Sequence, residues 1–459
     1  MTQTDTKSPE RLPDEPIPFR HEYAIYGIGL FATSTHFMLM PIVPLFAAQH
    51  LGLEAGLLAG IALGCRPALS LFFSIHAGVL MDRIGTNKVL LAMGIAALVT
   101  PFMYPALPFI WAFILIQLIS GMTDSIGWMG AQTLVGQVMK GRTRYAGRLG
   151  AVIRIGHIVG PPVVGHTWDL AGPWAAFSLV GLCGVGYLVC TLMLPPIPNA
   201  RERAAAKKGT PVAPIAMRDL TPRLADYMDS FRLLSVPAVA ITVLIGMMVH
   251  VGNNINSTFF VYWLGEVEGI SATLIGYLVS LSSATAAAGS LWATSLRRRF
   301  KAYWVLWTSV FIALIVICLT PLLSSAPVKS FVGNSIGWLV EVSPLIAAYI
   351  AFCLMSCLRT LSNGVHQPLV INLMLATAGP EAKGRAIGLR GTANRVTSVG
   401  GPVMLGWLAG LIGLEAGFYV MGVISAVFMF WIAWLLIRHP EVHPENQRGK
   451  DSASLANQR

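Results

Sequence analysis

RYAGRLGAVIRIGHIVGPPVVGHTWDLAGPWAAF, residues 144–177, has an echo in RAIGLRGTANRVTSVGGPVMLGWLAGLIGLEAGF, residues 385–418. At a fixed offset of 241 positions the two agree at eleven of 34 positions without a gap. The matches are Arg144/Arg385, Gly147/Gly388, Gly150/Gly391, Arg154/Arg395, Gly160/Gly401, Pro161/Pro402, Gly165/Gly406, Leu170/Leu411, Gly172/Gly413, Ala175/Ala416 and Phe177/Phe418. Glycines, a proline and two arginines recur, while the apolar filler drifts. Backbone-shaping residues kept where filler changes mark one structural unit used twice. Both copies lie in apolar sequence, which points to a membrane protein with repeated halves.

Composition agrees. Hydrophobic residues make up 55% of the 459 and charged residues 12%, with a mean hydropathy of +0.65. Soluble domains carry about 25% charged residues, and a run of about 20 apolar residues crosses a bilayer. Val89–Pro108, Ala175–Leu194, Ala302–Leu323 and Ala416–Ile437 are charge-free runs of that length. Twelve spans are predicted: 23–47, 54–77, 88–108, 109–137, 147–168, 173–194, 238–263, 271–295, 302–323, 343–375, 387–410 and 415–437. The expected fold is all-α, with twelve transmembrane helices in two pseudo-symmetric six-helix halves. Residues 22–194 and 237–438 form the halves, 195–236 a central loop, and 1–21 and 439–459 the tails.

The first twenty residues are polar and carry prolines, without the short apolar core of a cleavable signal. All six cysteines fall inside predicted spans, so free thiols are expected. The net charge of +11 has a simple location. Basic residues gather between spans 4 and 5, 8 and 9, 10 and 11, and in the central loop. The alternate loops hold Glu54, Asp169, Glu266, Glu268, Glu341 and Glu415, with Lys329 as their one basic residue. The positive-inside rule then puts both termini and the central loop in the cytoplasm of a cell that carries the protein in its plasma or inner membrane. Because the bias follows topology, no nucleic-acid partner is expected.

Span 1 carries His36, either a packing residue or a transport residue. Span 2 carries Arg66 near its middle, where a guanidinium needs a partner or water. Span 2 ends in Gly78-Val-Leu-Met-Asp82-Arg83-Ile-Gly85-Thr-Asn-Lys88. This run resembles the signature between helices 2 and 3 of the major facilitator superfamily, Gly-x-x-x-Asp-Arg-x-Gly followed by basic residues. Thr86 and Asn87 depart from it, and only Lys88 keeps the basic character. The resemblance implies alternating access, with helices 1, 4, 7 and 10 along the cavity and 3, 6, 9 and 12 outside. It also implies that Asp82 latches the cytoplasmic side against helix 11, supported by Arg83. Gly78 permits close helix approach and Gly85 a tight turn.

Span 4 sets Gln117, Gly121, Asp124 and Trp128 along one helical face. Drug antiporters of the family often carry an arginine where this chain has Gln117. Asp124 is the natural partner for Arg66 or Arg154, and equally the natural proton-coupling group. In span 5, Gly156-His157-Ile-Val-Gly160-Pro161-Pro162-Val-Val164-Gly165 resembles the family's antiporter motif, with Val164 in place of a glycine. Pro161 and Gly160, with Pro402 and Gly401 in the second copy, are expected to bend helices and let them cross closely.

Span 7 offers His250, Asn253 and Asn254 as substrate contacts, since a polar run at membrane depth must face a cavity or break its helix. Span 10 offers Arg359, Asn363 and His366, and aligning Gln132 with Gln367 sets Asp124 opposite Arg359. Arg395 in span 11 is the repeat mate of Arg154. No serine-histidine-acid set, phosphate loop or metal-ligand cluster is evident, so no enzyme, metal or cofactor is expected. The reading is a secondary active transporter, a drug:proton antiporter-like protein. It exports a small organic molecule against protons and works as a monomer in the bilayer. Import of an organic anion, or a non-transporting sensor or lipid-binding scaffold, are the alternatives.

Overall fold

Both copies of the repeat turn at the same glycine. Gly172 has φ of 78° and Gly413 of 88°, a left-handed backbone that glycine adopts without a Cβ penalty. Each glycine ends one helix and starts the next. The computed structural model describes residues 17–139, 143–195, 197, 202, 232–336, 343–377 and 383–442. Most of the predicted tails and of the central loop lies outside these residues.

The described helices are α1 (Phe19–Gln49), α2 (Leu57–Gly64), α3 (Ala68–Ile84), α4 (Thr86–Ala106), α5 (Ile110–Gln137), α6 (Thr143–Leu192), α7 (Pro237–Ile255), α8 (Ala272–Arg299), α9 (Ala302–Cys318), α10 (Thr320–Leu323), α11 (Ala326–Ile336), α12 (Pro344–Thr377), α13 (Lys383–Ile412) and α14 (Leu414–Arg438). Among the described residues nine helices are long and apolar enough to cross a membrane. Predicted spans 1, 3, 4, 8, 10, 11 and 12 each coincide with one helix. Spans 5 and 6 are the two helices that meet at Gly172 within α6, and α9 is a shorter apolar helix.

Two expectations of continuous helix are corrected. Span 2 is split into α2 and α3 at Cys65-Arg66-Pro67, because Pro67 cannot supply a ladder donor. Span 7 leaves α-helical geometry after Ile255 for two π-helical stretches, Asn256–Phe260 and Trp263–Val267. Wider π turns of this kind cluster at functional sites. Beyond α9, the chain forms α11, where no element was expected. Its Lys329 pairs with Glu268 at 2.9 Å.

The repeat matches place the joint between the halves. A side chain at Gly165 would collide with the Ala272 carbonyl of α8, and one at Gly406 with the Gly56 carbonyl and the Gly60 backbone around α2. Likewise Gly276 of α8 packs on the Pro161 carbonyl, and Gly60 on that of Pro402. α6 therefore crosses α8 as α13 crosses α2, by close backbone contact at small residues. Elsewhere α14 exposes Val423, Val427, Phe430, Trp434 and Ile437 in a stripe at helical spacing, the pattern of a lipid-facing helix. All six cysteines are free thiols.

Candidate functional site

A cavity of about 780 Å³ lies between the halves. Its wall takes residues from α1, α2 and the α2–α3 break, α5, the first part of α6, α7 and its π continuation, α8, α12 and α13. None of the lining residues comes from α4, α9, α14 or the part of α6 beyond Gly172. The break after α2 matters here, since irregular backbone at membrane depth survives where it lines a cavity. Arg66 and Pro67, which make the break, both line it.

One wall is built around Asp124 of α5. Arg66 Nη2 donates to Asp124 Oδ2 at 2.6 Å, and Arg66 Nη1 to Gln117 Oε1 at 2.9 Å. The Tyr104 hydroxyl of α4 donates to the same Gln117 oxygen at 2.8 Å. Gly121 lets this happen, because a Cβ there would strike the Arg66 carbonyl. Of the two candidate partners for Asp124, Arg66 is the one bound. Arg154 lines the cavity, and among the described residues it makes no ion pair. His36 Nδ1 lies 3.5 Å from Asp124 Oδ2, with a half-exposed ring. Next to it Phe37 stacks on His157, ring centroids 3.7 Å apart.

The opposite wall is built around Arg359 of α12, only 4% exposed. Its Nη1 donates to Asn253 Oδ1 at 3.3 Å, and Asn363 Nδ2 donates to the same oxygen at 2.7 Å. Among the described residues no carboxylate lies within ion-pair distance of Arg359. Asn254 Nδ2 donates to Ser398 Oγ at 2.9 Å, and Ser398 Oγ lies 3.4 Å from His250 Nδ1. Seven of the eight predicted substrate contacts, His36, Asp124, His250, Asn253, Asn254, Arg359 and Asn363, thus face one cavity. His366 is buried with Nε2 unpartnered, and Gln367 lines the wall in its place. Arg395 is half-buried outside the lining. Ser398 and Tyr104 were missed. Ser398 stands at the repeat position of His157, a signal that was available in the sequence.

The candidate gating residues divide by position. Gly160 packs on Met38 of α1 and Gly401 on Val251 of α7. Gly85 turns between α3 and α4 with φ of 104°, and Arg83 is half-buried. Gly78 and Asp82 are helical, but their surroundings lie outside the described residues. On the acidic-loop side, Asp169 of α6 accepts from the backbone nitrogens of Ala272 (3.2 Å) and Thr273 (2.9 Å) at the start of α8. Gln49 Nε2 there donates to Glu266 Oε1 at 3.0 Å, and closer to mid-depth Ser280 Oγ donates to the Ile158 carbonyl. These bonds tie the halves together from that side.

A family model described as Major Facilitator Superfamily matches residues 25–363 and 330–458. Similar curated proteins include a class G tetracycline resistance protein of Vibrio anguillarum, 29% identical over 37% of this chain and 41% of its own length. The multi-drug resistance efflux pump PmrA of Streptococcus pneumoniae is 25% identical over 42% of this chain and 50% of its own length. The chain thus spans half or less of the length of these curated relatives. Among solved structures, the nucleoside transporter NupG superposes with a TM-score of 0.70 at 13% identity, over 90% of this chain and 99% of that one. A peptide transporter POT in complex with sulfate superposes with 0.67 at 14% identity, over 95% and 97%. At such identities the likeness concerns the fold.

Proposed function

This chain belongs to the major facilitator superfamily, and on that premise we propose that it exports a small organic molecule in exchange for protons. The observation that carries the reading is the cavity of about 780 Å³ walled by polar side chains of both halves. That size suits a small organic ligand. Drug export is supported by the efflux relatives and by the Gly160-Pro161 motif, whose residues pack against α1 and α8.

Asp124 is the proton carrier in this reading. It faces the cavity beside His36 and is held by Arg66. A carboxylate so placed exchanges the arginine for a proton when the cavity changes sides. The halves, 22–194 and 237–438, rock about the α6–α8 and α13–α2 crossings. Asp169 of α6, bonded to the start of α8, steadies the state closed on the acidic-loop side. Asp82, on a helix packed against α13, steadies the opposite state. Both termini and the central loop 195–236 are cytoplasmic, and the protein works as a monomer in the cell membrane.

The test is uptake of a drug library into inside-out membrane vesicles with and without an acid interior. Gradient-dependent uptake that Asp124→Asn abolishes is expected. Uptake that ignores the gradient would overturn proton coupling, and outward movement from the vesicles would overturn export.

A further inference from the structure

Among the described residues Arg359 is a cation without an answering anion. A guanidinium offers five N–H donors, and here one bond, at 3.3 Å to Asn253 Oδ1, is what the described residues give it. Its Nε is buried and has no partner. The amide oxygen of Asn253 is shared with Asn363, so it is fixed as an acceptor without bringing charge. The cavity lining as a whole holds three guanidinium groups, Arg66, Arg154 and Arg359, against one carboxylate, Asp124. Two positive charges are left over, and Asp124 is already taken by Arg66.

Burying a guanidinium without compensation is costly. The protein nevertheless keeps this one in a wall open to the cavity, with donors to spare. Elsewhere in the same lining Phe260, Val261, Leu278 and Val279 supply apolar wall. We propose that Arg359 is the docking point for the carboxylate of an organic anion with an apolar body. Asn253 holds the guanidinium in place, and Asn363 locks Asn253. A carboxylate matches the planar donor edge of arginine with two parallel hydrogen bonds. The proposal rests on the transporter reading and names its substrate class.

The experiment uses the purified full chain in nanodiscs. Binding of benzoate, 1-naphthoate and 4-phenylbutyrate is compared with binding of their own carboxamides, by calorimetry. At least one acid is expected to bind tenfold or more tightly than its amide. That preference disappears in Arg359→Gln. It disappears also in Asn253→Asp, which leaves the arginine in place and sets a carboxylate beside it. It survives in Arg154→Gln. No acid preferred over its amide in the wild-type chain, or a preference intact in Arg359→Gln, would overturn the clamp. Gradient-driven transport without acid preference defeats the clamp and spares the transporter. Acid preference without gradient-driven transport does the reverse.

Discussion

Arg66 and Arg359 stand on opposite walls of one cavity, and the two halves neutralise them differently. Arg66 meets Asp124 at 2.6 Å and Gln117 at 2.9 Å. Arg359 meets an amide oxygen at 3.3 Å. Matching Gln132 with Gln367 sets Asp124 opposite Arg359, so on that alignment the equivalent places of spans 4 and 10 carry opposite charge. A duplicated scaffold has therefore kept its backbone rules while its polar chemistry diverged. The N-terminal wall answers Arg66 with a carboxylate of its own, although Arg154 on the same side makes no ion pair among the described residues. The C-terminal wall is incomplete and suited to a ligand that brings the missing charge.

The largest expected effect comes from breaking the closed pair. Asp124→Asn strands Arg66, and removing one partner of a buried pair costs about 3–5 kcal/mol. Thermal unfolding of the purified protein should show that loss. Adding Arg66→Gln should recover most of it without restoring gradient-driven transport. Undiminished stability in the single mutant would mean that Arg66 is neutralised elsewhere, and the contrast between the walls would fall.

A smaller effect is expected at Gly121. Its Cβ would meet the Arg66 carbonyl, and overpacking a tight contact costs about 1–3 kcal/mol. Gly121→Ala should lower the unfolding temperature and weaken coupling, because it pushes Arg66 away from Asp124. A stable, fully coupled Gly121→Ala would show that the pair tolerates displacement.

The smallest concerns the tie outside both walls. A carboxylate at an exposed helix N-terminus contributes about 0.3–1 kcal/mol. Asp169→Asn should leave stability nearly unchanged and shift the balance of cavity states a few-fold. Cysteine labelling from the acidic-loop side, at a cysteine introduced at Ser125 in the cavity wall, should rise. Unchanged labelling would remove Asp169 from the switching account.

Much of this was legible in the sequence because backbone rules leave residue-type traces. The eleven repeat matches include Gly165 and Gly406, where the halves cross, and Gly172 and Gly413, where the helices turn. Arg66 and Asp124 were legible as partners because each is expensive at membrane depth alone. The break at Pro67 was not read, because an apolar run hides a proline that interrupts it. Tyr104 was invisible as a polar group, since a phenol in an apolar helix reads as packing. His366 was read onto the face of Asn363, but Gln367 lines the wall. Spacings of three and four both fit one helical face, and only the neighbouring helices decide between them.

The central claim is tested most directly by thermal unfolding of Arg66→Gln and Arg359→Gln, purified and measured side by side without ligand. Arg66→Gln should lose stability, because Asp124 is left without its partner. Arg359→Gln should hold or gain stability, because the wall loses an unanswered charge and strands none. Equal losses in the two would contradict the account, and so would a larger loss in Arg359→Gln.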